Sequence, residues 1–582
     1  MLVIAFSSSN AVLYSIIQKT MNTRRIAALA AIFASAGFAQ TLEFKQRCLA
    51  DLTAQIPSIL QSQDKKTGRF GAGIWIVNDQ NVLLPLAAAW SYKSPANPWF
   101  RKPEVLQAIM AGGDALIADA NSIGKWVFRK KDGSTWGDIY MPWTYSRWMR
   151  AYQMVREAMP RERREKWDRA LLLGFDGIAR EIAAAPPKNI PAHHAMGLYF
   201  AAQVFGKPEW GKQAAAFLHK VVAAQHRDGY WSEHQGPVVA YGFVYVDALG
   251  VYEAVSKDPA VLEALRKTSR FHAAFTYPDG TDVETIDERN PYHATLRLPN
   301  CGFTFTPEGR GYMAQQLAKW KKPIPADEAA SLLLWGQEGP IARASASGDF
   351  DFALGAGDAA VRRRGPWFLA ASAMTSPLAT SRWIQDRQNF VSVYHDKLGV
   401  ILGGGNTKLQ PRWSNFTAGD LSLFRHRAGD ENPNFQAPDG VVYLPTSARL
   451  LAGPDFGVEL VYGARKARVA LKVVGPDRLE YTVTGDPALV AHITLLPDMK
   501  GALASASGKK AALAGGAIEW KAGEAGAWIE HRGARLSLPA KAEVRWPVLP
   551  HNPYRKDGAA EPEEGRIVVD APARGSFTLD VK

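Results

Sequence analysis

The chain has 582 residues, of which 47% are apolar, which excludes a disordered chain and leaves room for about two or three domains with substantial cores. Lysine and arginine (69) outnumber aspartate and glutamate (56), for a net charge of +13, while only two cysteines are present. No zinc-finger spacing, RNP motif or concentrated basic arm accompanies that charge, so the polyanion it suits is an acidic glycan, not nucleic acid.

Residues 1–39 read as a processing signal that starts at Met21. Arg24 and Arg25 precede the apolar run Ile26 to Phe33, and Ser35-Ala36-Gly37-Phe38-Ala39 offers small residues for cleavage. Cleavage after Ala39 leaves Gln40 first. Residues 1–39 carry Lys19, Arg24 and Arg25 and no acid, so the mature charge is +13 − 3 = +10. An uncleaved anchor is the alternative, but the run is shorter than the ~20 apolar residues a span requires. The expected location is the periplasm or the cell exterior, without stable membrane insertion.

From 40 to 340 apolar residues recur at i, i+3 and i+4. Helices are predicted over Phe44–Gln63, Glu104–Asn121, Trp143–Ala158, Arg161–Ala185, His194–Phe205, Trp210–Gln225, Phe243–Val255, Ala260–Phe275 and Ala326–Trp335. Pro160, Pro186-Pro187, Gly206-Lys207-Pro208 and Asp228-Gly229 separate them. Side-by-side helical hairpins of this kind imply an α/α toroid, an incomplete barrel. A stacked solenoid would call for a fixed repeat, and none is visible. Cys48 and Cys301 lie in this half; an oxidising compartment permits a bridge, but their spacing does not decide whether they meet.

Residues 341–364 read as a linker, with the small-residue run Ala344–Ser347 and the basic triple Arg362–Arg364. From 365 to 582 the period changes to two. Strands are predicted over Asn389–Tyr394, Gly399–Leu402, Leu421–Arg425, Val458–Tyr462, Val469–Val474, Leu479–Val483, Val490–Leu495, Gly526–His531, Ala534–Leu538, Ile567–Val569 and Ser576–Val581. This is an antiparallel β-sandwich, which makes the whole an α+β multidomain chain.

The polar residues bunch between 189 and 312. Asn189-Ile190-Pro191-Ala192-His193-His194-Ala195-Met196-Gly197 opens a helix. His226-Arg227-Asp228-Gly229-Tyr230-Trp231-Ser232-Glu233-His234-Gln235-Gly236-Pro237 follows, with Tyr241 and Tyr245 on the next helix and Tyr277-Pro278-Asp279-Gly280-Thr281 beyond. This order resembles the heparinase II/III-like and alginate-lyase-like polysaccharide lyases. Asp386-Arg387-Gln388-Asn389-Phe390, then Lys397-Leu398-Gly399-Val400-Ile401-Leu402, resembles their first β hairpin. The resemblance implies a toroid followed by an antiparallel β domain, and lyase activity on an acidic polysaccharide. Two departures stand out. Arg382 and Ile384 replace the histidines of a His-x-His-x-Asp stretch that ends here at Asp386, so no metal of that kind and no cofactor is expected; calcium stays open. Val238-Val239 stand where a Tyr usually follows Gly-Pro, which leaves Tyr241 as the nearest phenol.

Cleavage of a uronate polymer by β-elimination requires donors around the carboxylate, a base for the C5 proton and an acid for the departing O4. His194, or its neighbour His193, and Tyr241 are the catalytic candidates. The two histidines point about 100° apart on a helix, so one of them faces the pocket. Asn189, Gln235, Glu233, Arg289, His293 and Tyr245 are candidates for substrate binding. Trp75, Asn78 and Gln80 form one expected cleft wall, and Trp143 with Arg147, beside Trp136, Tyr145 and Trp148, another; helix packing is the alternative for these aromatics. Two rival functions remain. A glycoside hydrolase on the same toroid would draw paired carboxylates from Glu233, Asp247, Glu284 and Asp287. A non-catalytic envelope protein would bind glycan without cleaving it.

Overall fold

The computed structural model describes residues 40–71, 79–129, 134–289, 294–342, 348–379, 381–424, 436–553, 555 and 557–582. Among these the first half is helical: α1 (Lys45–Gln61), α2 (Leu83–Ser91), α3 (Pro103–Asp119), α4 (Pro142–Val155), α5 (Arg161–Ala184), α6 (Asn189–Phe205), α7 (Pro208–Ala223), α8 (Val239–Ser256), α9 (Leu262–Ala274), α10 (Pro307–Lys319) and α11 (Ala326–Trp335). Proline opens α3, α4, α7 and α10, where its missing N–H has no intrahelical partner to lose. Gly206 ends α6 in the left-handed region.

Five helices form an inner ring: α2 packs on α4, α4 on α6, α6 on α8, α8 on α11, and α11 back on α2. Their burial explains their position. Helix α2 buries every residue from Leu83 to Trp90, and α6 and α8 are buried on most sides; such helices belong inside. Helix α5, by contrast, buries one stripe of Trp167, Leu171, Phe175, Ile178 and Ile182, and it packs outside α6. Gly174 of α5 leaves room for the Tyr145 ring of α4, with which a Cβ there would collide.

The two ends of the toroid meet. Thr41–Leu42 pairs antiparallel with Gly339–Pro340, and the Glu338 carboxylate accepts the N–H groups of Phe44 (2.6 Å) and Lys45 (2.7 Å) at the start of α1. Cys48 and Cys301 are separate buried thiols. Among the described residues no helix is long and apolar enough to cross a membrane.

Among the described residues the second half holds two antiparallel sheets, one of ten strands and one of nine. They pack face to face through residues such as Leu369, Val393 and Ile493 of the first and Val458, Leu471 and Leu579 of the second. The other face of the first sheet, with Phe368, Ala370, Tyr394 and Val400, packs on Phe271, Phe275, Tyr277 and Ile286 of the helical half. The toroid end that carries these residues is therefore covered by the sandwich.

Two expectations are corrected, and three elements are added to those the sequence announced. Residues 341–364 are not simply a linker: Phe350–Ala353 and Ala359–Arg364 are paired strands of the first sheet, joined by Arg362 and Arg364 on Asp351; residues 343–347 lie outside the described set. Leu421–Arg425 is not a strand. Leu421–Leu423 is a short 3-10 turn that starts where Asp420 accepts the Ser422 N–H, and Arg425 is outside the described residues. Helices α2 and α10 were missed, since α2 is too uniformly apolar to show a period and α10 begins with Pro307-Glu308-Gly309. A small hairpin, Trp126–Arg129 with Thr135–Ile139, also interrupts the helical half.

Where the sandwich meets the toroid, buried Lys408 donates to Asp386 at 2.7 Å, and the Tyr443 hydroxyl donates to the same carboxylate at 2.8 Å. Lys408→Met leaves this carboxylate without its cation and should lower stability by about 3–5 kcal/mol in urea denaturation.

Candidate active site

The site is built around the loop 232–237, which Ser232 and Pro237 close as a β-bridge. Its exposed tip, His234-Gln235, is held from below. Glu288 is fully buried, and its carboxylate accepts the N–H of His234 (2.9 Å) and of Gln235 (3.1 Å). Arg387, from the β half, lies 3.6 Å from the same carboxylate. Neighbouring Asp287 accepts the first N–H of α8, at Val239 (2.9 Å), and that of Arg289 (2.7 Å). Lys188 ties the other side of the loop through the carbonyls of Ser232 (2.6 Å) and Glu233 (2.7 Å).

Glu233 turns inward. Its carboxylate accepts from the Asn189 amide (2.8 Å) and from the Tyr245 hydroxyl (2.9 Å). The Tyr245 ring stacks on Trp231 at 4.9 Å. Burial, and then the charge of Glu233, push the Tyr245 phenol well above its ordinary value, so it stays a donor. One turn earlier on α8, Tyr241 is half-buried, and Arg289 donates to its hydroxyl oxygen at 3.2 Å with the guanidinium 4.9 Å from the ring. Asn189, Glu233, Tyr245, Tyr241 and Arg289 are thus brought to one end of the toroid, the end the sandwich covers.

The histidines divide differently from expectation. His194 is buried, and its Nε2–H donates to the Tyr140 carbonyl at 2.8 Å; burial lowers its pKa to about 4. The charges around it are Glu181 and Lys125, on the outer side of α6. It is therefore turned away from Tyr241, and its expected place across the cleft is corrected: adjacent residues on a helix diverge, and His193 took the inner direction. His193 donates from Nε2 to the Val244 carbonyl (3.1 Å) and meets Trp143 edge to face at 4.7 Å. Burial, and next Arg147 and Arg150, keep it neutral.

Trp143, Arg147 and His193 line a cavity of about 250 Å³ to which all five inner helices contribute, so it lies on the ring axis. Arg147 is fixed there by a bidentate pair with Asp327, Nε to Oδ1 at 2.8 Å and Nη2 to Oδ2 at 2.5 Å. Of the other expected walls, Gln80 is buried and exchanges hydrogen bonds with the Phe70 backbone, which makes it a brace and corrects its reading as a cleft residue. Tyr145 and Trp148 are core, whereas Trp136 is exposed on the hairpin against Phe128. Trp75, Asn78 and His293 lie outside the described residues. Sequence reasoning did not single out Glu288, Arg387, Arg150, Asp327 or Glu328. Arg147 and Arg150, three apart on the aromatic helix α4, and Asp247, alone in the apolar run of α8, were the available signals. Among the described residues no three His, Cys, Asp or Glu are grouped to hold a metal ion.

No family model and no curated protein matches the chain. Solved structures do. A xanthan lyase from Paenibacillus superposes with a TM-score of 0.51 at 12% identity, over 93% of this chain and 58% of that one. A chondroitin AC lyase mutant from Streptomyces coelicolor A3 gives 0.48 at 12% identity, over 92% and 79% of the two chains. Heparinase III gives 0.49 at 14%, over 86% and 75%. The chain spans less than two thirds of the xanthan lyase. What is shared with that enzyme is the fold: a polysaccharide-lyase fold, with a helical toroid followed by antiparallel sheets.

The state of His194 has a measurable effect. An unfolded chain binds a proton at this residue below its ordinary 6.5, whereas the folded chain does so only near 4. Stability that His194 contributes is present above about pH 6.5 and is lost as pH falls toward 4, by about 3 kcal/mol. In His194→Gln, the fall in unfolding free energy between those pH values should be shallower by about that amount.

Proposed function

We propose that this chain is an exported polysaccharide lyase that cleaves an acidic, uronate-containing polysaccharide by β-elimination. The observation that carries the reading is Tyr241: a half-buried phenol whose oxygen faces the Arg289 guanidinium at 3.2 Å, at the polar end of the ring. The basic composition and the fold shared with a xanthan lyase support the substrate class. The export pattern of residues 21–39 supports a location outside the cytoplasm.

In this reading the uronate carboxylate sits against the amide donors of Asn189 and Gln235. Glu233 orients Asn189 by accepting one of its amide hydrogens. A base removes the C5 proton, the C4–O4 bond breaks, a C4=C5 double bond forms, and the departing O4 takes a proton. Tyr241 gives that proton, and Arg289 stabilises the phenolate oxygen left behind. In the variant of this scheme that starts from the Tyr241 phenolate, paired with the Arg289 guanidinium, the phenolate takes the C5 proton and passes it to O4, which restores the phenolate. The exposed imidazole of His234, on the loop that Glu288 holds, takes over the base role that His194 cannot fill.

The test is a panel of acidic polysaccharides followed by ultraviolet absorbance, since elimination creates a conjugated double bond. Tyr241→Phe keeps the ring and should cut turnover by about 10²-fold or more while the melting temperature is unchanged. Near-normal turnover of this variant on the cleaved polymer would overturn the assignment. Tyr245→Phe separates the two phenols: loss of a bond to a buried carboxylate should cost about 1.5–3 kcal/mol of stability, seen as a lower melting temperature.

A further inference from the structure

The axial cavity holds polar atoms that the protein does not satisfy. Arg150 is 1% exposed; its Nε donates to the Ser146 carbonyl, its guanidinium lies 4.7 Å from the Trp335 ring, and its Nη1 has no partner. His193 uses Nε2–H on Val244, which leaves Nδ1 as a buried lone pair, also without a partner. One atom lacks an acceptor and the other lacks a donor. Buried polar atoms in that condition are satisfied by a ligand or by water.

Both signs of charge surround them. Arg147 and Arg150 face Asp327 and Asp247. Burial raises the Asp247 carboxyl against the opposing pull of Arg150 and Arg147, and burial followed by the charge of Asp327 raises that of Glu328 to about 7. An anionic ligand would meet these carboxylates, and a cationic one would meet the two guanidiniums. A hydroxyl both donates and accepts, and so answers both orphaned atoms without adding a charge. Trp143 and Phe243 are half-buried and add apolar faces, and the volume of about 250 Å³ is below the usual range for drug-sized ligands, about 300–1,000 Å³.

We propose that the axial cavity is a binding pocket for a single neutral sugar ring, the terminal residue of the polysaccharide. His193 is four residues past Asn189 on α6, and Val244 three past Tyr241 on α8, so these two lining residues lie one helical turn, about 5.4 Å, beyond Asn189 and Tyr241. A chain whose end is seated in the pocket presents a following residue to Tyr241. That chain-end placement rests on the lyase reading; the binding of a neutral sugar does not.

The experiment is a binding titration, followed by tryptophan fluorescence and calorimetry on the full chain, with glucose, galactose, mannose, N-acetylglucosamine and glucuronate as probes. At least one neutral sugar should bind saturably in the millimolar range, with glucuronate weaker. Asp247→Asn, which keeps the shape, and Trp143→Phe, which keeps an aromatic face, should each weaken that binding at least about tenfold. Tyr241→Phe should bind the sugar as the native chain does, whatever it does to turnover, so the lyase reading and this pocket fail separately. No binding of any neutral probe, tighter binding of glucuronate, or unchanged affinity in Asp247→Asn would each overturn the proposal.

Discussion

Asp287 and Glu288 are adjacent, buried carboxylates, and between them they accept the backbone N–H groups of Val239, His234, Gln235 and Arg289. Each such bond is charge-assisted and therefore short and directional. Together they set where α8 begins, how the 232–237 loop turns and where the Arg289 backbone lies. The position of Tyr241 against Arg289 follows from these anchors. Burial pushes the Asp287 carboxyl upward, and its backbone donors oppose that push. For Glu288 the counter-charge is Arg387, which comes from the β half. The sandwich therefore does more than cover the toroid, since it supplies the cation that makes a buried carboxylate tenable at this place.

The toroid combines two environments that are normally kept apart. Its inner helices are apolar enough to be buried on nearly every side, yet the axis they enclose carries two guanidiniums and several carboxylates. The bidentate pair between Arg147 and Asp327 joins α4 to α11, the two helices that flank α2 in the ring. A pair of this geometry fixes the angle between two helices more tightly than apolar contact does.

Much of the architecture is legible in the sequence because it follows from period. Amphipathic helices such as α5, and strands such as Gly399–Leu402 and Val490–Leu495, announce themselves through which residues recur. Helix α2 does not, because a segment buried on all sides has no polar face to set the phase. The site was legible as a neighbourhood: Asn189, Glu233, Tyr241, Tyr245 and Arg289 do gather. Its wiring was not. The choice between His193 and His194 depends on the rotation of α6, which its packing against α4, α5, α7 and α8 together sets. The role of Glu288 depends on a loop some fifty residues away folding over it, as the separation of 54 positions from His234 shows. Local pattern carries no information about such pairings.

The strand pair that joins Thr41–Leu42 to Gly339–Pro340 brings the first and last turns of the helical half within one hydrogen bond, as between Ile341 and the Gln40 carbonyl (2.9 Å). The helical half is thus a loop in connectivity as well as in shape. The seam joins residues about three hundred positions apart, so its closure costs more chain entropy than that of any neighbouring helical hairpin. Where a chain runs in a circle, its covalent starting point is arbitrary: a version joined across the seam and opened in an exposed outer connection, such as that between α4 and α5, would retain every helix pair of the ring.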